Sequence, residues 1–359
     1  MAAARNRAAG SAELYSRQRA VPGWDQERLA AARCVVVGIG ALGSEVSRLL
    51  ASVGVGRLLL CDPDGVEESN LSRGVLFRAA DLGRPKAEVA ATALAELAPG
   101  VEATARCAPL LSGVGLAELR AADLVISCLD SRAARIQLAS RVNLVAAAML
   151  DGGTHPWGGE VRYFRPGGPC YGCGSTPREL AVRDDPWSCT APGPGQARVE
   201  AASAPVSALV GAQLGLWAVR LLLGLPVPEG AMRLDPLAGT GLVTTAGGRR
   251  GPSPGCPLHE RVPGDQVHPV PLTVDDPVSA LLGLVGPAEQ PMGWAGFVGV
   301  GSRSPVPATT RLRAADPDAS LGALGIPPGE LIPVLDDRGR TLSRYLELKP
   351  GTGWGGGAR

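Results

Sequence analysis

Residues 34–43 read Cys34-Val35-Val36-Val37-Gly38-Ile39-Gly40-Ala41-Leu42-Gly43. Three consecutive β-branched residues after Cys34 are the pattern of a strand buried on both faces. Gly38, Gly40 and Gly43 follow in G-x-G-x-x-G spacing. The first permits the tight turn, the second lets backbone approach a phosphate, and the third lets a helix pack on the strand. Ser44 to Val53 then has helical apolar spacing at Val46, Leu49, Leu50 and Val53, so its N-terminus presents free N–H groups to an anion. Arg57–Cys61 is a second apolar strand closed by Asp62, and an acid about 20 residues after such glycines accepts ribose hydroxyls. The unit is a strand–turn–helix–strand built for a nucleotide.

Downstream residues narrow the nucleotide. Asn70 and Arg73 in Ser69-Asn70-Leu71-Ser72-Arg73, with Lys86 at the start of a helical stretch from Pro85 to Leu97, stand where phosphates would sit. A dinucleotide oxidoreductase has no need of them. They fit ATP, with an acid activated at its phosphates.

Strand-like and helical runs alternate as far as residue 150. Leu124–Cys128 reads as a buried strand ending at Leu129-Asp130, Arg132–Ala146 as helix, and Ala147–Leu150 as strand. Such alternation implies an α/β fold: a Rossmann-like, mostly parallel sheet with helices on both faces. Ligands collect at the carboxyl ends of its strands, where Asp62 and Asp130 both fall. Residues 151–200 read as irregular, Pro205–Leu223 as a low-charge buried helix, and Ala246–Pro277 as Pro/Gly-rich linker. In the tail, Leu331–Leu335 and Leu342–Leu348 around Asp336-Asp337-Arg338-Gly339 read as a hairpin. The division expected is a disordered arm at 1–12, an ATP-binding domain at 13–262, a linker at 263–277 and a small C-terminal module at 278–359.

Composition excludes several classes. The 359 residues carry a formal net charge of +1, which gives no electrostatic footprint for nucleic acid or a membrane surface. Residues 1–12 are Ala/Arg-rich without the apolar stretch of a secretory signal. Eight cysteines in such a chain point to thiols or metal ligands in a reducing compartment, so the expected location is cytoplasmic.

Four ligands of two kinds stand in close pairs: Cys170-Tyr171-Gly172-Cys173 and Cys256-Pro257-Leu258-His259. They suit tetrahedral Zn²⁺ in a closed structural site that ties two parts of the chain together. Pro169 and Gly172 place the first pair in a loop rather than at the helix start that a redox C-x-x-C needs. Cys189, in the polar loop Trp187-Ser188-Cys189-Thr190, is read either as a nucleophile or as an ordinary loop thiol. Cys34, Cys61, Cys107 and Cys128 fall in apolar runs and read as small buried hydrophobes.

These motifs together resemble the ThiF/MoeB/HesA adenylyltransferases, bacterial relatives of ubiquitin-activating enzymes, over roughly residues 13–262. The residues that carry the resemblance are Leu14-Tyr15-Ser16-Arg17-Gln18, Gly38–Gly43, Asp62, Ser69–Arg73, Gly83-Arg84-Pro85-Lys86, Leu129-Asp130, Pro169–Cys173, Ser188-Cys189 and Pro254-Gly255-Cys256. The resemblance implies ATP and Mg²⁺ as cofactors beside the zinc. It also implies a small β-grasp partner protein ending in Gly-Gly, whose carboxylate is adenylated with loss of pyrophosphate, and a homodimer. By the same resemblance Asp62 holds the ribose, while Asn70, Arg73 and Lys86 offset phosphate charge. Asp130 holds Mg²⁺, with Ser131 and Ala41 beside the nucleotide. Arg17 reaches the partner copy's ATP, and Cys189 matches a variable sulfur-handling cysteine.

This sequence departs from the family pattern at four places: Ala41 for a common Gly, Gly74 for Gln, Ser131 for Asn, and His259 for the fourth zinc Cys. Each site residue also has a structural reading. Arg17 can cap a surface, Lys86 can be solvated, Asn70 can hold a turn, and Asp130 can cap the following helix. The rival functions are adenylation of another acid, such as a peptide or a tRNA base, and a non-catalytic nucleotide- or peptide-binding member.

Overall fold

A computed structural model describes residues 13–176, 203–228, 230–235, 240–244, 252–297, 307–336, 341–352 and 354. The 1–12 arm and Cys189 lie outside the described residues.

The valine run forms β1 (Arg33–Val37), third in a sheet that has eight strands among the described residues. Its companions are β2 (Arg57–Cys61), β3 (Glu102–Arg106), β4 (Leu124–Ser127), β5 (Met149–His155), β6 (Gly158–Phe164), β7 (Gly230–Asp235) and β8 (Thr240–Thr244), in the order β3-β2-β1-β4-β5-β6-β7-β8. Strands β3 to β5 in that order pair in parallel, and β5 to β8 are antiparallel. The apolar run is continuous because alternate residues serve two cores. Cys34 and Val36 pack with Leu42, Val46 and Leu50 of helix Ala41–Ser52, whereas Val35 and Val37 pack with Leu116, Leu119 and Ile136 on the other face. The chain goes from β1 outward to β2 and β3, then crosses back to β4. That reversal opens a crevice at the carboxyl ends of β1 and β4.

Helix Ala204–Leu222 is apolar and long enough to cross a membrane by composition. It instead lays Val206, Val210, Leu214 and Trp217 on the sheet.

Residues 151–200 are not irregular throughout. β5 runs on to His155, turns at Pro156-Trp157, and returns as β6 to Phe164. The sequence hides this hairpin because Gly152, Gly153, Gly158 and Gly159 replace side chains that would alternate. Contact demands those glycines: a Cβ on Gly159 would lie 2.3 Å from the Gly153 carbonyl oxygen and 2.6 Å from Val210. Helix Arg132–Leu144 ends two residues earlier than its pattern, with Ala146 in the left-handed region at φ 54°.

The tail forms a second sheet of β9 (Val267–Pro269), β10 (Gln290–Phe297), β11 (Pro307–Arg311), β12 (Leu331–Leu335) and β13 (Leu342–Glu347), in the order β11-β10-β12-β13-β9. The β12–β13 pair is the hairpin read from sequence. β9 lies inside the stretch read as linker and pairs in parallel with β13.

This second sheet shares a core with the first. Leu331, Tyr345 and Trp354 join Val35, Val125 and Ile136. On its other side Ile332, Val334, Leu346 and Leu348 pack with Val278, Leu281 and Leu321. Polar ties reinforce the contact. Arg141 donates to Glu330 at 2.6 Å and to the Val114 carbonyl at 2.8 Å, with both charged side chains buried. Arg120 donates to both carboxylate oxygens of Glu347 at 2.6 and 2.7 Å.

Candidate active site and metal cluster

The crevice holds a cavity of about 480 Å³. Gly38, Gly40 and Ala41 line it, with Asp62, Asn70, Arg73, Lys86 and Asp130 from four separate segments. The turn is fixed by close approach. Gly38 has φ 88°, and a Cβ there would stand 2.6 Å from the Cys128 carbonyl oxygen. A Cβ on Gly43 would stand 1.8 Å from the Gly38 carbonyl oxygen, so Gly43 sets helix-to-strand packing and does not line the cavity. Gly40 has nothing within 4 Å on its Cβ side. It also occupies the N-cap of Ala41–Ser52 without a side-chain cap, which leaves the first N–H groups for an anion. Ala41 takes the first helical position, where a methyl is accommodated.

Asp62 is nearly fully buried and accepts from the backbone N–H of Ile39 at 2.6 Å and of Asp64 at 2.8 Å. Burial pushes its carboxyl above the usual carboxylate range; those two N–H groups and Lys86 oppose the shift. Lys86 is buried rather than solvated, and its Nζ lies 2.9 Å from Asp64 Oδ2. Asn70 both lines the cavity and holds a turn, its Oδ1 accepting from Glu67 N–H at 2.9 Å. Arg73 is steadied by the Ser69 carbonyl at 2.9 Å. Gly74, in place of the family Gln, leaves room for Phe77, whose ring would lie 2.3 Å from a Cβ there.

Asp130 does not cap the following helix. Ser131 does, accepting from Ala134 N–H at 3.1 Å, and that capping role removes Ser131 from the cavity lining. The Asp130 carboxylate is exposed in the cavity and makes no hydrogen bond or ion pair among the described residues. A hard oxygen ligand without a competing cation fits Mg²⁺, which binds through one or two carboxylates plus phosphates. Arg17 is exposed on the short helix Ser16–Arg19 and does not line the cavity.

Sequence reading passed over Asp64, Arg135 and Asp151. Asp151 ends the strand-like run Ala147–Leu150 just as Asp62 ends β2, and that parallel was the available signal. It is buried, accepts from Ser127 Oγ at 2.7 Å, and pairs with Arg135 at 2.6 Å.

Cys170, Cys173, Cys256 and His259 converge, their four ligand atoms lying within 4.8 Å of one another. Cys170 Sγ is 3.8 Å from Cys173 Sγ and 3.7 Å from Cys256 Sγ. Two thiolates each about 2.3 Å from one tetrahedral Zn²⁺ stand about 3.8 Å apart, so the set fits the ion. The hydrogen bond from Cys170 pulls the Cys256 thiol down to about 6, and Cys170 is pushed up in turn. Burial lowers the His259 pKa and keeps its ring neutral as a ligand. His259 supplies Nε2, which lies 3.1 Å from Cys173 Sγ.

The sequence profile of the ThiF family matches residues 15–257. The chain belongs to the ThiF family. It is 30% identical over 212 residues to the sulfur carrier protein ThiS adenylyltransferase of Escherichia coli (strain K12), covering 58% of this chain and 79% of that one. It is 34% identical over 220 residues to the molybdopterin-synthase adenylyltransferase of the same strain, covering 60% and 83%. Among solved structures, E. coli MccB with MccA-N7isoASN superposes with a TM-score of 0.54 at 20% identity over 69% of this chain and 74% of that one, a likeness of fold. As a ThiF-family member the chain is an enzyme of the adenylyltransferase type.

Proposed function

We propose that this enzyme adenylates the C-terminal Gly-Gly carboxylate of a small β-grasp sulfur-carrier protein. The observation that carries the reading is one cavity joining a ribose-type acid, an open helix N-terminus, the Asn70/Arg73/Lys86 set and the unpartnered Asp130. Adenylation proceeds by attack of the carboxylate oxygen on the α-phosphorus of ATP. The bond from that phosphorus to the bridging oxygen breaks, and pyrophosphate leaves with the electron pair. Charge grows on the departing oxygens, where Arg73 and Lys86 offset it. Asn70 can donate from its amide nitrogen while its oxygen stays on the turn. Bound at Asp130, Mg²⁺ would supply further neutralisation of the phosphates.

The likeness to the two E. coli adenylyltransferases supports a carrier protein as the acid. A sulfur nucleophile, or a thiol such as that of Cys189, would then attack the acyl carbon of the adenylate; the carbon–oxygen bond to the phosphate breaks and AMP leaves with the electron pair.

A homodimer belongs to the same reading. Tyr15 packs at Gly54, beyond the C-terminal end of helix Ala41–Ser52, whose N-terminus faces the cavity. A 12-residue helix is about 18 Å long, so Arg17 begins about that far from its own cavity, and a second copy is the route by which it would reach ATP.

ATP–pyrophosphate exchange tests the proposal. Exchange that requires a Gly-Gly carrier and disappears in Arg73→Ala and Lys86→Ala is expected. Exchange with a free acid or peptide alone would redirect the assignment to another substrate. Normal exchange in either variant would remove those residues from the site.

A further inference from the structure

Asp130 is isolated within the cavity, yet the chain on both sides of it is anchored. After it, the Ser131 hydroxyl caps the helix. Before it, the Leu129 carbonyl is gripped by the guanidinium of Arg135, which donates from Nε at 2.9 Å and again from Nη2. The same guanidinium reaches across to β5, donating from Nη2 to the Gly152 carbonyl at 3.1 Å and from Nη1 to Asp151 at 2.6 Å. Ser127 Oγ takes the other Asp151 oxygen, so both oxygens of the buried carboxylate are engaged. The space is made by Gly153, where a Cβ would stand 3.3 Å from Arg135 Nη2.

A planar fork with donors on several edges is suited to tying one chain end to two strands; an ammonium is not. Here the fork spans the last turn before Asp130, the neighbouring strand and a buried anion. The carboxylate of Asp130 thereby stays in the cavity without a partner of its own.

We propose that Arg135, oriented by Asp151 and Ser127, is a positioning residue that preorganises the Asp130 carboxylate for a divalent cation bound with the ATP phosphates. The inference rests on the cation-holding role of Asp130 in the proposed function and names the device that sets it. Partners that orient a metal ligand typically change metal affinity about 10–100-fold when removed.

The test uses the full chain with Mn²⁺ as the probe and a non-hydrolysable methylene analogue of ATP, free Mn²⁺ being followed by electron paramagnetic resonance. Arg135→Lys is the main variant. It keeps a positive charge against Asp151, so the buried carboxylate is not left unpaired, but it cannot bridge the two carbonyls. Arg135→Lys is expected to weaken Mn²⁺ binding in the nucleotide complex by about tenfold or more. Arg135 also lines the cavity, so the positioning role is separated from direct contact by a second readout: affinity for the analogue without metal should stay within about twofold of the parent. Ser127→Ala, which only loosens Asp151, is expected to act in the same direction with a smaller change.

In the Asp130→Asn background the Arg135→Lys effect should vanish, because the two act through one carboxylate. An Arg135→Lys protein that melts normally and binds Mn²⁺ like the parent, while Asp130→Asn binds it poorly, would overturn the inference and leave the Asp130 assignment standing. Unchanged Mn²⁺ binding in Asp130→Asn would overturn both. Additive losses in the double variant would show that Arg135 acts on the ligand directly, against the positioning role.

Discussion

Helix Arg132–Leu144 carries two arginines that pair with buried carboxylates, and the pairs hold different kinds of structure together. Arg135 grips Leu129, Asp151 and Gly152, none more than 17 positions away. Arg141 grips Glu330, 189 positions away, from the same helix. The first pair shapes a cavity out of neighbouring chain ends. The second fastens a distant sheet to the back of the nucleotide fold. Similar chemistry therefore serves precision in one place and attachment in the other, and the two should fail differently when broken.

The largest effect is expected at the attachment. Arg141→Met leaves the Glu330 carboxylate buried without its partner and should cost about 3–5 kcal/mol of stability in urea unfolding. Adding Glu330→Leu should recover most of that loss, because an apolar pair of similar volume replaces two buried charges. A cost below about 1 kcal/mol for Arg141→Met would mean that the shared apolar core alone carries the attachment.

The Cys170/Cys173/Cys256/His259 cluster, which fits Zn²⁺, lies between the two regions. Arg132 Nη2 donates to Ser175 Oγ, just past the first cysteine pair, at 3.3 Å, while His259 shortly precedes β9. Stripping the ion should loosen both ends. At free zinc about 1,000-fold above the dissociation constant the loss would be about 4 kcal/mol, read as a lower Tm after chelation and recovered by zinc alone. A Tm insensitive to chelation, with metal content near zero in the purified protein, would remove zinc from the site.

Two glycines sharpen the same contrast at the cavity. Gly43→Ala drives a methyl into the Gly38 carbonyl and should cost about 1–3 kcal/mol as well as nucleotide binding. Gly40→Ala meets no protein atom, so its stability should change by less than about 0.5 kcal/mol while ATP binding weakens. Equal melting losses in both would show that Gly40 serves the turn and not the ligand.

The smallest effect is expected in the outer part of the second sheet. There Arg344 donates to both oxygens of a half-exposed Glu289, and that hydrogen bond holds the Glu289 carboxyl below its usual range. A depressed carboxylate contributes stability above its ordinary pKa and loses it as pH falls through the lowered folded value. Solvent screening limits the pair to about 0.2–1 kcal/mol, so Glu289→Gln should differ from the parent near pH 7 and converge with it in acid.

Legibility followed the same division. The Gly38 turn, Asp62, the Cys/His set and the β12–β13 hairpin each announce themselves within a short span, because a tight turn, a strand end or a metal knuckle is specified locally. The β5–β6 hairpin stayed hidden because close packing required glycine where a strand pattern shows side chains. Ser131 and Lys86 were legible as to place but not as to partner: one caps a helix and the other pairs with Asp64. Arg141 and Glu330 look like surface charges in a linear reading. Nothing short of the folded chain brings them together.

The shared core also sets a timetable. Val125, Ile136 and Leu144 are shielded on one side by Leu331, Tyr345 and Trp354. Roughly two hundred residues separate Leu144 from Tyr345, and at about 5–20 residues per second a ribosome spends on the order of 10–40 s making them. Once helix Ala204–Leu222 has been made, and until the tail follows, the nascent nucleotide domain has its helices and its Gly38 turn but wears one bare apolar flank. Synthesis that stalls in the tail would release a chain already able to form much of its ATP cavity and poorly able to stay out of aggregates.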